Sequence, residues 1–307
     1  TCDPNKLNEY LVNVINSVNV GSKRFLTNKV DRSVTGLIAQ QQCVGPFHTP
    51  LSNFSITAFS MQDTKGTVAS IGEQPIKGLV DNKSLVDMTI GEMLTNLVFA
   101  LVSDFKDIKC LGNWMWSPKL IGEGYKLYEA VKQVEEILKV LGIGIDGGKD
   151  SLSMNTVINS DVVMSPNTLV MSTYVLSPDI TCKVTPDFKE ENTNIIFIDL
   201  SYNNYNLGGS VFSQTLDNLG CETPKFRKLD NFVKIFNYIQ KLLVERKILS
   251  GHDRSDGGLI TTLIEMCLSS FVGCNINIKS DIDYISYLFN EELGLIIEVE
   301  DKYASEI

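Results

Sequence analysis

The spacing of apolar residues along the chain predicts helices and strands in both halves. Between residues 5 and 18, apolar side chains recur every three or four positions, as on one face of a helix. The same spacing predicts helices over 84–103 and near 123–140. Short runs rich in β-branched and aromatic residues predict strands at 34–40, 53–61 and 167–176. The segment LGNWMWSP (111–118) contains glycine and proline, and we predict a loop there.

The polar segment 177–193 is the predicted boundary between two domains. Beyond it, the pattern predicts a strand at 194–200, helices near 208–219 and 230–247, a helix capped by Ser255 or Asp256, and a final strand within 288–300. Because both halves mix helix and strand, we predict an α+β fold with domains 1–176 and 177–307.

Composition narrows the possible partners. The 307 residues are 43% hydrophobic and 21% charged, which is typical of a globular protein with room for two domains. The net charge of -10 disfavours a nucleic-acid partner, which requires clustered Lys and Arg. It does not exclude a small phosphorylated ligand, because metal ions can bridge carboxylates to phosphates.

Cysteine usage and hydropathy bear on localisation. The seven cysteines form no C-x-x-C pair and there are only two histidines, so a zinc site or a disulfide framework is disfavoured. No apolar stretch reaches the length of a membrane-spanning helix. We therefore predict a cytoplasmic protein with free thiols and no membrane partner. The sequence begins with Thr rather than Met, and we expect it to be a piece of a longer polypeptide.

The segment GEMLTN (91–96) offers candidate metal ligands. Glu92 and Asn96 are four residues apart on a predicted helix, so both side chains leave the same face. Carboxylate and amide oxygens are hard ligands that suit Mg²⁺. The alternative is a solvated helix face with no ligand.

The segment GHDRSDGGL (251–259) combines acidic, hydroxyl and glycine residues at a predicted helix start. A helix N-terminus with mobile backbone amides favours anions, and Asp253 adds a metal ligand. A plain capping turn is the alternative. His252 is predicted to be a structural hydrogen-bonding residue rather than a base.

The segment DGGKDS (146–151) is predicted to be a turn that faces an anion. Amides at Gly147 and Gly148 could approach a ligand closely, Lys149 could supply charge, and Ser151 a hydroxyl. Because the complete phosphate-loop pattern is absent, the alternative is a turn without a ligand. The acidic segment NEELGLI (290–296) predicts, by itself, a hairpin corner.

The sequence lacks a Ser-His-Asp set, a His-rich metal cluster and a G-x-G-x-x-G fingerprint. A self-contained hydrolase or dehydrogenase is therefore disfavoured, and we assign no catalytic residue. Metal-bridged phosphate binding is the chemistry that remains.

In their order along the chain, these segments resemble the second half of the synthetase region of the large-type phosphoribosylformylglycinamidine synthase family. The matching segments are DRSVTGLIAQQQCVGP, ASIGEQP, GEMLTN, GNWMW, GGKDSLSM, HDRSDGGL and LFNEELG. The resemblance implies tandem N-terminal-like and C-terminal-like domains of the aminoimidazole ribonucleotide synthetase superfamily. It also implies a preceding synthetase half and a following glutaminase domain in the same polypeptide.

The implied activity is that of a carbon–nitrogen ligase in purine biosynthesis. Formylglycinamide ribonucleotide, glutamine and ATP would yield formylglycinamidine ribonucleotide, glutamate, ADP and phosphate, with Mg²⁺ on the nucleotide. This piece alone would be inactive. Two alternatives remain: a structural module that binds an auxiliary ADP, and a stand-alone kinase or synthetase of the same superfamily.

The resemblance also implies roles for residues around the nucleotide. Glu92, Asn96 and Asp253 resemble the family's Mg²⁺ ligands, and Ser255 a nucleotide contact. Before the ITAFS strand the family commonly has an aspartate ligand preceded by a small residue. Here Asn53 and Ser52 occupy those positions. Asn53 is neutral and therefore a poorer metal ligand.

The GGKDS segment resembles the part that this half contributes to a catalytic pocket completed by the preceding half. Gly148 and Lys149 would lie near ATP or its metal there, and Ser151 near the substrate phosphate.

Overall fold

The computed structural model of the chain describes residues 2–29, 36–278 and 283–307, except for the side chains of residues 28 and 29. The first part of the chain contains α1 (Leu7–Asn16), α2 (Arg24–Lys29), β1 (Ile38–Gln40), β2 (Phe54–Ala58), β3 (Gly66–Glu73), α3 (Lys77–Val80), α4 (Asn82–Leu97), β4 (Lys109–Met115), α5 (Glu123–Leu141), β5 (Gly144–Ser151), β6 (Asn155–Ile158), β7 (Asp161–Met164) and β8 (Thr168–Ser177).

The second part contains β9 (Asn194–Asp199), α6 (Val211–Thr215), α7 (Leu229–Val244), β10 (Ile248–Asp253), α8 (Gly258–Leu268), α9 (Tyr284–Phe289) and β11 (Gly294–Val299). Short 3-10 helices lie at Pro4–Lys6, Phe105–Asp107 and Asp301–Tyr303. Within the described ranges, no helix has the length and apolar character needed to cross a membrane.

A six-stranded sheet in the order β1-β2-β3-β8-β4-β5 organises the N-terminal lobe. Only β4 and β5 pair in parallel; the other neighbours are antiparallel. α4 lies so close to β3 that a Cβ at Gly72 would come within 2.1 Å of the Thr89 carbonyl oxygen. This contact fixes the carboxyl-terminal half of α4 beside the end of β3.

The C-terminal lobe contains an antiparallel sheet in the order β10-β11-β9. α8 packs against it through Leu259, Leu263 and Met266, which cluster with Ile296. The largest apolar core is continuous through both lobes, since residues of α4, α5, β8, α7 and β11 belong to one buried cluster. α1 joins the C-terminal lobe, where Tyr10 and Val14 pack with Phe212.

Many of the predicted elements are present. The helices predicted at 5–18, 123–140 and 230–247 correspond to α1, α5 and α7, and the strands at 53–61, 167–176 and 194–200 to β2, β8 and β9. The helix predicted over 84–103 ends at Leu97, and the one near 208–219 is reduced to Val211–Thr215. Of the strand predicted at 34–40, residues 34 and 35 lie outside the described ranges.

Two segments predicted to be a loop and a turn form strands instead. Residues 111–115 do not form a loop but belong to β4, which pairs with β8 on one side and β5 on the other. The GGKDS segment is likewise not a turn, because residues 147–151 complete β5. Glycine marks close strand pairing here rather than a chain reversal: a Cβ at Gly148 would lie 2.4 Å from the Gly112 carbonyl oxygen.

Candidate functional site

α4 directs Glu92 and Asn96 toward β3 and the loop that follows β10. Glu92 accepts a hydrogen bond from the Glu73 backbone N–H at 2.7 Å and another from the Ser255 hydroxyl at 3.0 Å. The Asn96 side-chain amide donates to the Ile71 carbonyl at 3.0 Å. Both side chains are half-buried and hydrogen-bonded, and the choice between a ligand site and a helix face without a ligand stays a prediction.

Asn53 and Asp253 meet across the two lobes. The Asn53 Nδ2 donates to Asp253 Oδ1 at 3.0 Å, and both side chains are buried. Asn53 Oδ1 and Asp253 Oδ2 are also buried but have no hydrogen-bond partner. Two acceptor oxygens without donors are costly in a protein interior, and a cation bound there would satisfy both.

The charge distribution also favours a cation. Burial, together with the nearby carboxylates of Asp256 and Asp253, raises the pKa of Glu92 to about 8. A divalent ion would stabilise the ionised carboxylates and relieve their repulsion. The donor set of two carboxylates and two amides fits the oxygen preference of Mg²⁺. In the described part of the chain, no three His, Cys, Asp or Glu side chains are close enough to hold a metal without such amides.

A cavity of about 530 Å³ opens beside these residues. Ser52, Asn53 and Asn96 line it together with residues of β1, β2 and β3. Its size is within the range of small-molecule sites in proteins. The structure thus brings Ser52, Asn53, Asn96, Asp253, Glu92 and Ser255 into one region.

Ser255 and Asp256 do not cap α8, contrary to the sequence prediction. The capping position is Gly257, whose φ of 85° is left-handed and suits glycine. Because the Ser255 hydroxyl is not used for capping, it reaches Glu92. His252 lies 3.1 Å from Glu265 Oε2 and 3.2 Å from Asp253 Oδ1, contacts that agree with the predicted structural role.

The GGKDS residues lie at the opposite edge of the six-stranded sheet. β5 is the last strand in the order, whereas Ser52 and Asn53 precede β2 near the other edge. Lys149 and Ser151 contact each other through their side chains. The structure therefore does not bring Gly148, Lys149 or Ser151 together with the cavity beside Asn53.

Sequence reasoning missed a buried ion pair at the junction of the lobes. Lys77 and Glu291 lie 2.7 Å apart, and each is at most 2% exposed. The local pattern of NEELG predicts a hairpin corner, but the segment instead connects α9 to β11. Nothing in the spacing around Lys77 indicated burial.

Comparison with known proteins gives matches over most of the chain. Residues 22–176 match the family model described as FGAR-AT PurM_N-like domain, and residues 203–306 match AIR synthase related protein, C-terminal domain. The phosphoribosylformylglycinamidine synthase of Dictyostelium discoideum is 47% identical over 95% of this chain, and that of Homo sapiens is 44% identical over 92%. The chain spans 23% and 21% of these relatives, respectively.

Solved structures share the fold at low sequence identity. PurL of Thermotoga maritima complexed with FGAR superimposes with a TM-score of 0.69 and 11% identity, covering 99% of this chain and 47% of that chain. PurL from the same organism complexed with ATP gives a TM-score of 0.64 at 11% identity, covering 97% and 44%.

Proposed function

Because the chain belongs to the FGAR-AT PurM_N-like domain family, we propose that it forms the second synthetase half of a phosphoribosylformylglycinamidine synthase. The complete enzyme would use ATP and glutamine to convert formylglycinamide ribonucleotide to formylglycinamidine ribonucleotide. The names of the relatives and the continuous match over nearly the whole chain support this proposal. The preceding synthetase half and a following glutaminase domain would belong to the rest of the polypeptide.

Within that half, the cavity beside Asn53 would hold ATP or ADP through Mg²⁺. Glu92, Asn96, Asp253 and Asn53 would hold the metal, which would neutralise the phosphate charge. Ser52 and Ser255 would contact the nucleotide. The observation that carries this proposal is the pair of buried acceptor oxygens without donors, on Asn53 and Asp253. PurL of Thermotoga maritima, which shares this fold, has been solved complexed with ADP, and this supports a nucleotide as the ligand.

Calorimetric titration of the chain with ADP tests this site. We expect binding in the presence of Mg²⁺ and its loss after chelation. Asp253→Asn keeps the shape of the side chain but removes its charge, and we expect it to weaken Mg·ADP binding roughly tenfold or more, as for loss of a charged contact. Asp230→Asn, an exposed change of equal charge on α7, is the control. Unchanged affinity in Asp253→Asn would contradict the metal assignment.

The separation of the two edges of the sheet favours a second candidate, a structural module whose auxiliary ADP only stabilises the enzyme. Gly148, Lys149 and Ser151 would then have no role in catalysis, whereas the leading proposal places Gly148 and Lys149 near ATP or metal and Ser151 near the substrate phosphate. Ser151→Ala in the full-length enzyme distinguishes the two.

We expect Ser151→Ala to raise KM for formylglycinamide ribonucleotide roughly tenfold, because a hydrogen bond to a charged phosphate is lost. Ser153→Ala, an exposed change two residues further along, is the control for steady-state kinetics. If KM and kcat match those of the unmodified enzyme, the structural module is the better description.

We further propose a cytoplasmic location, supported by seven cysteines that are all free thiols. The net charge of -10 supports small-molecule ligands rather than nucleic acid.

A further inference from the structure

The buried pair of Lys77 and Glu291 joins the two lobes. Lys77 begins α3 in the N-terminal lobe, and Glu291 precedes β11 in the C-terminal lobe. Their charged atoms are 2.7 Å apart, and Lys77 also contacts Gln74 and lies 3.9 Å from Asp256. Burial alone would lower the pKa of Lys77, but Glu291 and Asp256 raise it above its usual value, so the ammonium remains charged.

The Glu291 carboxylate also accepts hydrogen bonds from two backbone amides. Glu291 Oε1 accepts hydrogen bonds from Val211 N and Gly257 N, both at 2.8 Å. Val211 is the first residue of α6, and Gly257 caps α8. Gly257 lies two residues beyond Ser255 and four beyond Asp253 in the same loop. Glu291 therefore restrains the segment that carries two of the proposed ligand contacts.

Stability by itself does not account for this arrangement. The desolvation of a buried ion pair offsets much of its attraction, and apolar replacements of similar volume are often neutral or stabilising. The hydrogen bonds from Gly257 and Val211, in contrast, need an acceptor at the position of Glu291. That requirement indicates a positional role.

We propose that Glu291, with its charge balanced by Lys77, is a positioning residue for the nucleotide site. It holds the loop 253–257 so that Asp253 meets Asn53 and Ser255 meets Glu92 across the junction of the lobes. This inference rests on the proposed binding of Mg·ADP and adds to it two residues that lie outside the ligand set.

Two matched double variants separate the effect of the hydrogen-bond acceptor at position 291 from the effect of the ion pair. Lys77→Met with Glu291→Gln removes both charges but keeps an oxygen for Gly257. Lys77→Met with Glu291→Leu removes both charges and the acceptor. We expect the Gln variant to bind Mg·ADP within about threefold of the unmodified chain, and the Leu variant to bind at least roughly tenfold more weakly, as for unsatisfied buried amides.

Hydrogen exchange at the Gly257 and Ser255 amides provides a second measurement that needs no nucleotide. We expect faster exchange there in the Leu variant, with the amides of α5 unchanged relative to the Gln variant. Equal affinity and equal exchange in the two double variants would overturn the positioning role.

If the Leu variant does not fold, Glu291→Asp tests whether Glu291 positions the loop 253–257. It keeps a charge opposite Lys77 but retracts the acceptor by one methylene, so weaker Mg·ADP binding and faster Gly257 exchange are expected. Affinity and exchange equal to those of the unmodified chain would overturn the proposal. If the unmodified chain itself fails to bind Mg·ADP, the proposed function fails, and the exchange measurement still tests the restraint by Glu291.

Discussion

At Gly148, the missing side chain allows two strands to approach each other. A Cβ there would lie 2.4 Å from the Gly112 carbonyl oxygen, which is backbone and cannot move aside. At Gly147, the nearest atom would be Leu111 Cδ2 at 3.2 Å, the end of a flexible side chain. Adjacent glycines of one motif therefore face different constraints.

This contrast predicts unequal costs of substitution. We expect Gly148→Ala to lower the free energy of unfolding by about 1–3 kcal/mol through overpacking against β4, and Gly147→Ala by less. Urea unfolding of the two variants measures the difference. Equal losses would show that the pairing of β4 and β5 does not depend on close approach at Gly148.

The residues of the candidate site differ in whether the sequence alone could predict that they lie close together. Glu92 and Asn96 are linked by helical spacing, and that proximity is visible in the sequence. Asn53 and Asp253 are 200 positions apart and meet only through the packing of two lobes. For these, the resemblance to a family supplied the expectation, since no local pattern could.

Among the elements, the helices were predictable because their apolar faces follow a helical period. α5 and α7 each bury one stripe, through residues such as Val134 and Phe236. The sequence pattern does not predict β4 and β5 as strands, because their glycines and polar residues resemble turn signals. Their pairing depends on neighbouring strands, which a local pattern does not contain.

α4 and α5 are joined by a buried carboxylate. Asp87 on α4 accepts a hydrogen bond from Gln133 on α5 at 2.7 Å, and burial raises the pKa of Asp87 to about 6 from 3.8. Because the folded state binds this proton more tightly than the unfolded state, Asp87 favours folding at low pH. That contribution is lost as the pH rises from about 4 to about 6.

We expect this loss to disappear in Asp87→Asn. Relative to the variant, the unmodified chain should lose up to about 3 kcal/mol of unfolding free energy between pH 4 and pH 7, the equivalent of about two pKa units. Chemical denaturation at several pH values measures the difference. Glu136→Gln, an exposed change on α5, is the control. A difference that is constant with pH would show that Asp87 does not titrate in this range.

At the scale of the whole molecule, the apolar core continues across the predicted domain boundary at residue 177. Phe236 of α7 is fully buried and packs edge-on against Phe105 of the N-terminal lobe at 5.0 Å. The two sheets lie on either side of 177–193, yet apolar residues from both lobes form one cluster. The boundaries 1–176 and 177–307 stay a prediction.

A shared core predicts that damage in one lobe affects both. We expect Phe236→Ala to lower the free energy of unfolding by about 3–5 kcal/mol, as for other buried aromatic truncations. Val244→Ala, an exposed change near the end of α7, should have little effect. Unfolding followed by Trp fluorescence in the N-terminal lobe and by circular dichroism should give coincident transitions. Separate transitions would show that the lobes unfold independently.

The opposite edges of one sheet leave room for independent change. An alteration beside Asn53 can be absorbed near β2 without moving β5, because β3, β8 and β4 lie between them. The proposed metal position at one border can therefore carry the neutral amide of Asn53 while the lysine and serine at the other border keep their geometry. A sequence change at one edge of the sheet need not be matched by a change at the other edge.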